Sequence, residues 1–293
     1  MSRTDPIPDP DQDSPVATLS ELRAEINRLD DTIHDLLMAR AQVVTQVGSL
    51  GGKGRIALRP GREAAIIRRL LARHEGDLPR RAVVRIWREL LAATTAMQAP
   101  YSIAACEVTA DGSYAQCARE HFGALTPLRV HRTPALALAE IAAGTATVAV
   151  LPLPVDGEPS PWWTTLLHQG EPRIHVVARL PFWSPRPEGT PRAQALVLAA
   201  VPPDPSGDDR SLIGLELPAG LSRARFTAGL SAAGLVPGHA ILRRDAHSEA
   251  TLALVDVEGF VTDGDPRLAA LVDAQRPPVV LGAYAVPVEG DAA

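Results

Sequence analysis

Apolar residues recur first with helical and then with strand spacing, and the switch falls near Pro100. From residue 18 to residue 98 the pattern is helical and rich in Leu, Ala, Arg and Glu, with breaks at Gly51-Gly52 and around Gly76-Asp77-Leu78-Pro79. It predicts one long helix and two shorter ones. Thr18 or Ser20 is placed to cap the first, and Pro60 and Pro79 sit in the first turns of the others. On the long helix Leu22, Ile26, Leu29, Ile33, Leu36, Val43 and Val47 follow a 4-3-4-3 spacing, and Arg40 fills the slot between Leu36 and Val43. An unpaired guanidinium in an apolar interface is costly, so an anion should meet it, either a protein carboxylate or a ligand. A structural ion pair or snorkelling would serve equally well.

The other two helices repeat the oddity. Glu63 shares its face with Ile67 and Leu70, and the row Val84, Trp87, Leu91 continues as Thr94 and Gln98. A cation, a carboxyl and two hydrogen-bonding groups on three inward seams predict one polar pocket inside a helical bundle. Arg23 lies 17 positions before Arg40 (40 − 23), which on one helix separates them by about 25 Å along the axis and about 100° around it. One small ligand cannot touch both from the same helix, so if both serve pockets, Arg23 reaches that of a second protomer, as in an intertwined homodimer.

Beyond Pro100, short apolar runs such as Tyr101-Ser102-Ile103-Ala104 and Val148-Ala149-Val150-Leu151 alternate with helical patterns at 113–122 and 134–143, an α/β grammar. Pro-rich stretches at 181–191 and 202–207 flank a strand-like 195–200 and separate a third segment. That segment reads strand 212–217, helix 222–233, strand 240–244, strand 251–257, helix 266–274, strand 279–286, the βαββαβ order of a split βαβ unit.

Composition narrows the classes of function. The 293 residues carry 29 Lys plus Arg against 34 Asp plus Glu, a net charge of −5, which argues against nucleic-acid or anionic-membrane binding. Lys53 is the one lysine, so 28 (29 − 1) of the basic residues are arginines. No apolar stretch reads as a membrane span, and the acidic, Pro-rich start reads as a disordered tail on a cytoplasmic protein. Cys106 and Cys117 are expected as reduced thiols. Gly48-Ser49-Leu50-Gly51-Gly52-Lys53-Gly54 lacks the spacing and the hydroxyl residue of a P-loop, and the eight histidines show no metal-ligand spacing.

The segment L-R-A-E-I-N-R-L-D-D-x-I-H-D-L-L-M-A-R-A-x-V-V-x-x-V-G, followed by R-P-G-R-E and by Thr94 to Gln98, resembles the all-helical chorismate mutase domain. The resemblance implies conversion of chorismate to prephenate in aromatic amino-acid synthesis, in an intertwined dimer, with no metal, nucleophile or cofactor. Catalysis would then be positioning plus electrostatics, with arginine forks matching the two carboxylates of the substrate. By resemblance Arg40 and a partner chain's Arg23 clamp those carboxylates, Thr94 contacts one of them, and Glu63 binds the ring hydroxyl. Gln98 and a lysine donate to the ether oxygen, and Arg62 shapes the pocket. Two positions depart from the family: its lysine would fall at Gly51, two before Lys53, and its aspartate is replaced by Arg59. Lys53 on its glycine-rich turn is the candidate donor, with Arg55 as a fallback; the bland alternative is a solvated loop lysine.

Residues 103–122, with Asp111-Gly112-Ser113-Tyr114-Ala115, and the strand before Pro152 resemble an eroded prephenate dehydratase. Where that family carries a Thr-Arg-Phe triplet this chain has Ala193-Gln194-Ala195, and the segment is short for a two-lobed domain, so no dehydratase activity is expected. The third segment resembles the ACT domain, best from Leu254 to Tyr284, with its ligand-binding turns altered at Pro218-Ala219-Gly220-Leu221 and Arg243-Arg244-Asp245-Ala246. A structural or dimerising role and an amino-acid sensor both stay open. The expectation is therefore a multi-domain chain: a tail (1–17), an all-α three-helix mutase-like domain (18–99), a degenerate dehydratase-like α/β domain (101–205) and an ACT-like α+β domain (208–288). Two other functions remain, a non-catalytic ACT-containing regulatory subunit and a bifunctional mutase-dehydratase.

Overall fold

The computed structural model describes residues 17–50, 57–168, 170–244, 249–271 and 273–290. Lys53 and Arg55, the tail to residue 16, and Asp245-Ala246 lie outside the described residues. The chain divides into two compact units, Met1–Lys53 and Gly54–Ala293.

Among the described residues the first unit holds one helix, α1 (Leu19–Leu50). A reciprocal cap starts it: Thr18 Oγ1 accepts from the Glu21 amide at 3.3 Å, and Glu21 Oε2 accepts from the Thr18 amide at 2.7 Å. None of its residues is buried. The aliphatic seam read from the sequence is exposed along its length, from 46% at Leu29 to 66% at Leu36.

The second unit begins with α2 (Pro60–Ala72) and α3 (Arg80–Ala96). Pro60 opens α2, whereas Pro79 stands one position outside α3, as its N-cap. Then follow β1 (Ile103–Cys106), α4 (Ser113–Phe122), β2 (Leu128–His131), α5 (Pro134–Ala142), β3 (Val148–Pro152), a 3-10 helix (Trp162–His168), β4 (His175–Leu180), β5 (Trp183–Ser184) and β6 (Ala195–Ala199). The chain ends with β7 (Asp209–Pro218), α6 (Arg223–Ala232), β8 (Pro237–Arg244), β9 (Ala250–Glu258), α7 (Pro266–Ala269), β10 (Val279–Ala285) and β11 (Val288–Glu289).

Nine strands form one sheet in the order β2-β1-β3-β6-β4-β10-β7-β9-β8, while β5 and β11 pair separately. Strand β1 is parallel to β2 and β3, and each neighbouring pair among the last four strands of the sheet is antiparallel. Period-2 alternation sorts the core onto two faces. Ala104 and Cys106 face one cluster with Trp163 and Leu198, Ile103 and Ala105 face another with Phe122, and Ile213, Leu215 and Leu217 face a third with Phe226 and Leu230. Both cysteines are free and buried, and among the described residues no helix is long and apolar enough to cross a membrane.

The βαββαβ order of the third segment is present, but the segment is joined to the rest of the sheet where β10 runs parallel to β4 through Gly282 and Val176. Gly282 has φ +141°, and a Cβ there would come within 2.1 Å of the Val176 carbonyl oxygen, so glycine is required at this joint. Several expected boundaries shift, two of them with a clear packing or turn cause. The strand expected at Tyr101 begins at Ile103, because Tyr101 instead packs its ring on Phe122 at 5.9 Å between centroids. The helix expected over 266–274 is only Pro266–Ala269, after which Ala270 and Leu271 bond back three residues and tighten the chain into turns.

Candidate functional site

The carboxylate that the sequence placed on the inward seam of α2 is held by a cation of α3. Arg88 Nη1 donates to Glu63 Oε2 at 3.1 Å, with 4% and 13% of the two side chains exposed. The guanidinium also lies over the Phe182 ring, 4.4 Å from its centroid. Burial is the main influence on both groups. It raises the Glu63 pKa against the opposing pull of Arg88, and it lowers that of Arg88 to about 10 against the opposing pull of Glu63. Tyr101, buried nearby, is pushed well above the ordinary phenol range, first by burial and then by the Glu63 charge.

Helix α2 is fixed in this position by a residue far along the chain. Its N-cap residue, Arg59, makes no side-chain cap. The carboxylate of Asp204 does so instead, accepting from the amides of Gly61 and Arg62 at 3.0 Å each, and from Arg59 Nε at 3.1 Å. Gly61 is required by the closeness of this approach, since a Cβ there would meet the Asp204 carbonyl oxygen at 2.0 Å. Arg68 adds bonds to Ser206 Oγ and to the Asp208 carbonyl, each 2.9 Å. Ala64, Ile67, Leu71, Val84 and Leu91 then share an apolar cluster with Phe182 and Ala285.

The other candidates are distributed as follows. Thr94 is buried, with Oγ1 donating to the carbonyl of Leu90 or Leu91 at 2.8 and 3.1 Å. Gln98 lies exposed just past the end of α3 and donates from Nε2 to the Thr94 carbonyl at 3.2 Å. Arg62 is exposed. On α1, Arg23 is exposed and Arg40 half-buried.

Residues 22–99 match the family model described as "Chorismate mutase type II". The N-terminal stretch is a chorismate mutase domain. It contains Arg23, Arg40, Glu63, Thr94 and Gln98. The chain is 36% identical over 111 residues to a "Bifunctional chorismate mutase/prephenate dehydratase" of Neisseria gonorrhoeae, covering 36% of this chain and 30% of that protein. It is 30% identical over 146 residues to the protein of the same description from Pseudomonas aeruginosa, covering 46% and 38%. The chain thus spans about a third of the length of these curated relatives. A solved prephenate dehydratase from Streptococcus mutans aligns with 63% of this chain and 97% of its own, at 16% identity and a TM-score of 0.44.

Reading by sequence missed two residues that organise the mutase segment. Arg88 carried a local signal, because it stands four residues after Val84 and three before Leu91 on the same inward row. Asp204 carried none, being more than 140 positions from the amides it caps.

The start of α4 is also occupied. Glu107 accepts from the amides of Tyr114 and Ala115 at 3.4 and 3.2 Å, and Asp111 Oδ1 accepts from the amide and hydroxyl of Ser113 at 3.2 and 2.9 Å. These amides are already bonded to two carboxylates of the chain itself.

Proposed function

We propose that this protein is a chorismate mutase that converts chorismate to prephenate in aromatic amino-acid biosynthesis. The observation that carries this reading is the family match over residues 22–99, which encloses the cationic, acidic and amide side chains such a site needs. Rearrangement of a dicarboxylate with charge building on an ether oxygen requires cations on the carboxylates and donors at that oxygen. Arg40 and the Arg23 of a second copy supply the first, and Gln98 with Lys53 the second. Glu63 accepts from the ring hydroxyl through its remaining lone pairs, since Arg88 takes one oxygen. Thr94 contacts a substrate carboxylate once its hydroxyl turns from the helix carbonyls, and Arg62 shapes the pocket rim.

The active form is a homodimer built on α1, whose exposed aliphatic seam needs a second apolar face to cover it. The C-terminal βαββαβ segment is an ACT-like module. No dehydratase activity accompanies the mutase. An anionic substrate at the start of α4 would meet Glu107 and Asp111, and Ala193-Gln194-Ala195 offers no hydroxyl where the dehydratase family has threonine.

Incubation with chorismate and identification of the product separates the alternatives. Prephenate alone is expected, and phenylpyruvate would establish the bifunctional enzyme. No product would favour a non-catalytic regulatory subunit, a reading supported by the Arg88 grip on Glu63 and by Arg59 in place of the family's aspartate. Lys53→Ala is expected to slow turnover about a hundred-fold; an unchanged rate would remove Lys53 from the mechanism.

A further inference from the structure

A cavity of about 320 Å³ lies between α3, α4 and the chain from Pro181 to Thr190. None of the residues proposed above to touch chorismate lines it. Its charge is lopsided: Arg81, Arg85, Arg88 and Arg186 line it against one carboxylate, Glu120, which Arg186 already holds at 2.6 Å. Arg81 and Arg85 stand exposed and have no ion-pair or hydrogen-bond partner among the described residues.

Two of the lining residues each carry a buried, unsatisfied nitrogen. Arg88 is 3% exposed and His121 6%, yet Arg88 Nε and His121 Nε2 have no hydrogen-bond partner among the described residues. Buried donors are ordinarily paired, because an unmade bond leaves the desolvation cost of the group uncompensated. Phe182, Trp183 and Pro181 supply an apolar wall beside them. A hydrated inorganic anion gains nothing from such a wall, and a neutral ring leaves the nitrogens unpaired.

We propose that this cavity binds a small monocarboxylate with an apolar, ring-sized body, and that its occupancy slows the mutase. One carboxylate oxygen accepts from Arg88 Nε and the other from His121 in its Nε2–H tautomer, while the ring lies against Phe182 and Trp183. Arg81 and Arg85 draw the anion in. The volume falls within the range of about 300–1,000 Å³ typical of small-molecule sites. The regulatory part rests on the mutase reading and follows from Arg88, which lines the cavity and also holds Glu63. A second carboxylate on that guanidinium competes with Glu63 and raises the cost of its charge, altering the group proposed to receive the substrate hydroxyl.

Calorimetric titration of the full chain with 3-phenylpropanoate tests the site without reference to activity. One saturable site per chain is expected, with 3-phenylpropanol and inorganic phosphate at least about tenfold weaker. The variant Arg81→Ala/Arg85→Ala changes only exposed side chains and is expected to bind about tenfold more weakly. Absence of saturable heat, equal binding to that variant, or phosphate binding as well as the probe would overturn the site. Probe near its wild-type Kd should slow chorismate turnover in the wild-type protein, and the double variant should need about tenfold more probe for the same slowing; binding with unaltered turnover would overturn the coupling. A protein that binds the probe but converts no chorismate keeps the site and loses the mutase reading, and conversion without binding does the reverse.

Discussion

Helix α1 and the α2–α3 pair carry the same kind of apolar row, yet the chain treats them differently. On α2 and α3 the row is covered, with Ile67, Val84 and Leu91 nearly inaccessible beside Phe182 and Ala285. On α1 every aliphatic residue of the seam remains about half exposed or more, and no residue is buried. Amphipathic pattern specifies that a face seeks cover, not what covers it. For α2 and α3 the cover comes from the same chain through Asp204, Phe182 and Arg68; for α1 we assign it to a second copy.

The sharpest break in this contrast is to charge the seam of α1. If the proposed dimer holds, Ile26→Asp/Ile33→Asp should leave the sheet unit folded, turn that dimer into a monomer and lower turnover about a hundred-fold or more, since the proposed partner arginine is then lost from each pocket. Sedimentation with a chorismate assay reads both effects, and a variant that stays dimeric and active refutes the role of α1.

On the α2–α3 side, Arg88→Ala strands a buried carboxylate and should destabilise the chain by about 3–5 kcal/mol in urea unfolding. Replacing both partners, Glu63→Leu/Arg88→Met, should restore most of that loss; a double variant as unstable as the single one would mean that the pair is more than a matched burial. Gly61→Ala forces a Cβ into the Asp204 backbone and is expected to cost about 1–3 kcal/mol by the same measurement.

The smallest effect is pH-dependent. Burial, and next the Arg88 charge, hold the His121 pKa well below the ordinary imidazole value. The unfolded chain therefore takes up a proton that the folded chain refuses, and stability declines as pH falls below about 6.5. His121→Phe should flatten the difference between unfolding midpoints at about pH 7.5 and about pH 5.5. An undiminished difference would place the titration on another group.

Much of the local structure was legible in the residues. The Gly76–Pro79 turn separated α2 from α3, Ser113–Phe122 emerged as read, and the βαββαβ order followed from alternation and turn residues. Strands β2 and β4 were not recognised. The Pro-rich stretch read as a separator proved to wall a cavity, with β5 inside it. Glu63 was recognised because a carboxylate on an apolar row is anomalous in itself, and Arg88 on the neighbouring row could have been found in the same way.

Periodicity and turn chemistry alone determined most of the helices, the βαββαβ order of the C-terminal segment and the anomalous polar groups, because these depend on backbone preferences and on neighbours three or four positions apart. Tertiary structure decided that β10 joins β4, that Asp204 caps α2, and that Arg88 stands between Glu63 and a cationic cavity. Those contacts join residues from 25 to more than 140 positions apart, and local spacing carries no information about which distant groups close packing will bring together.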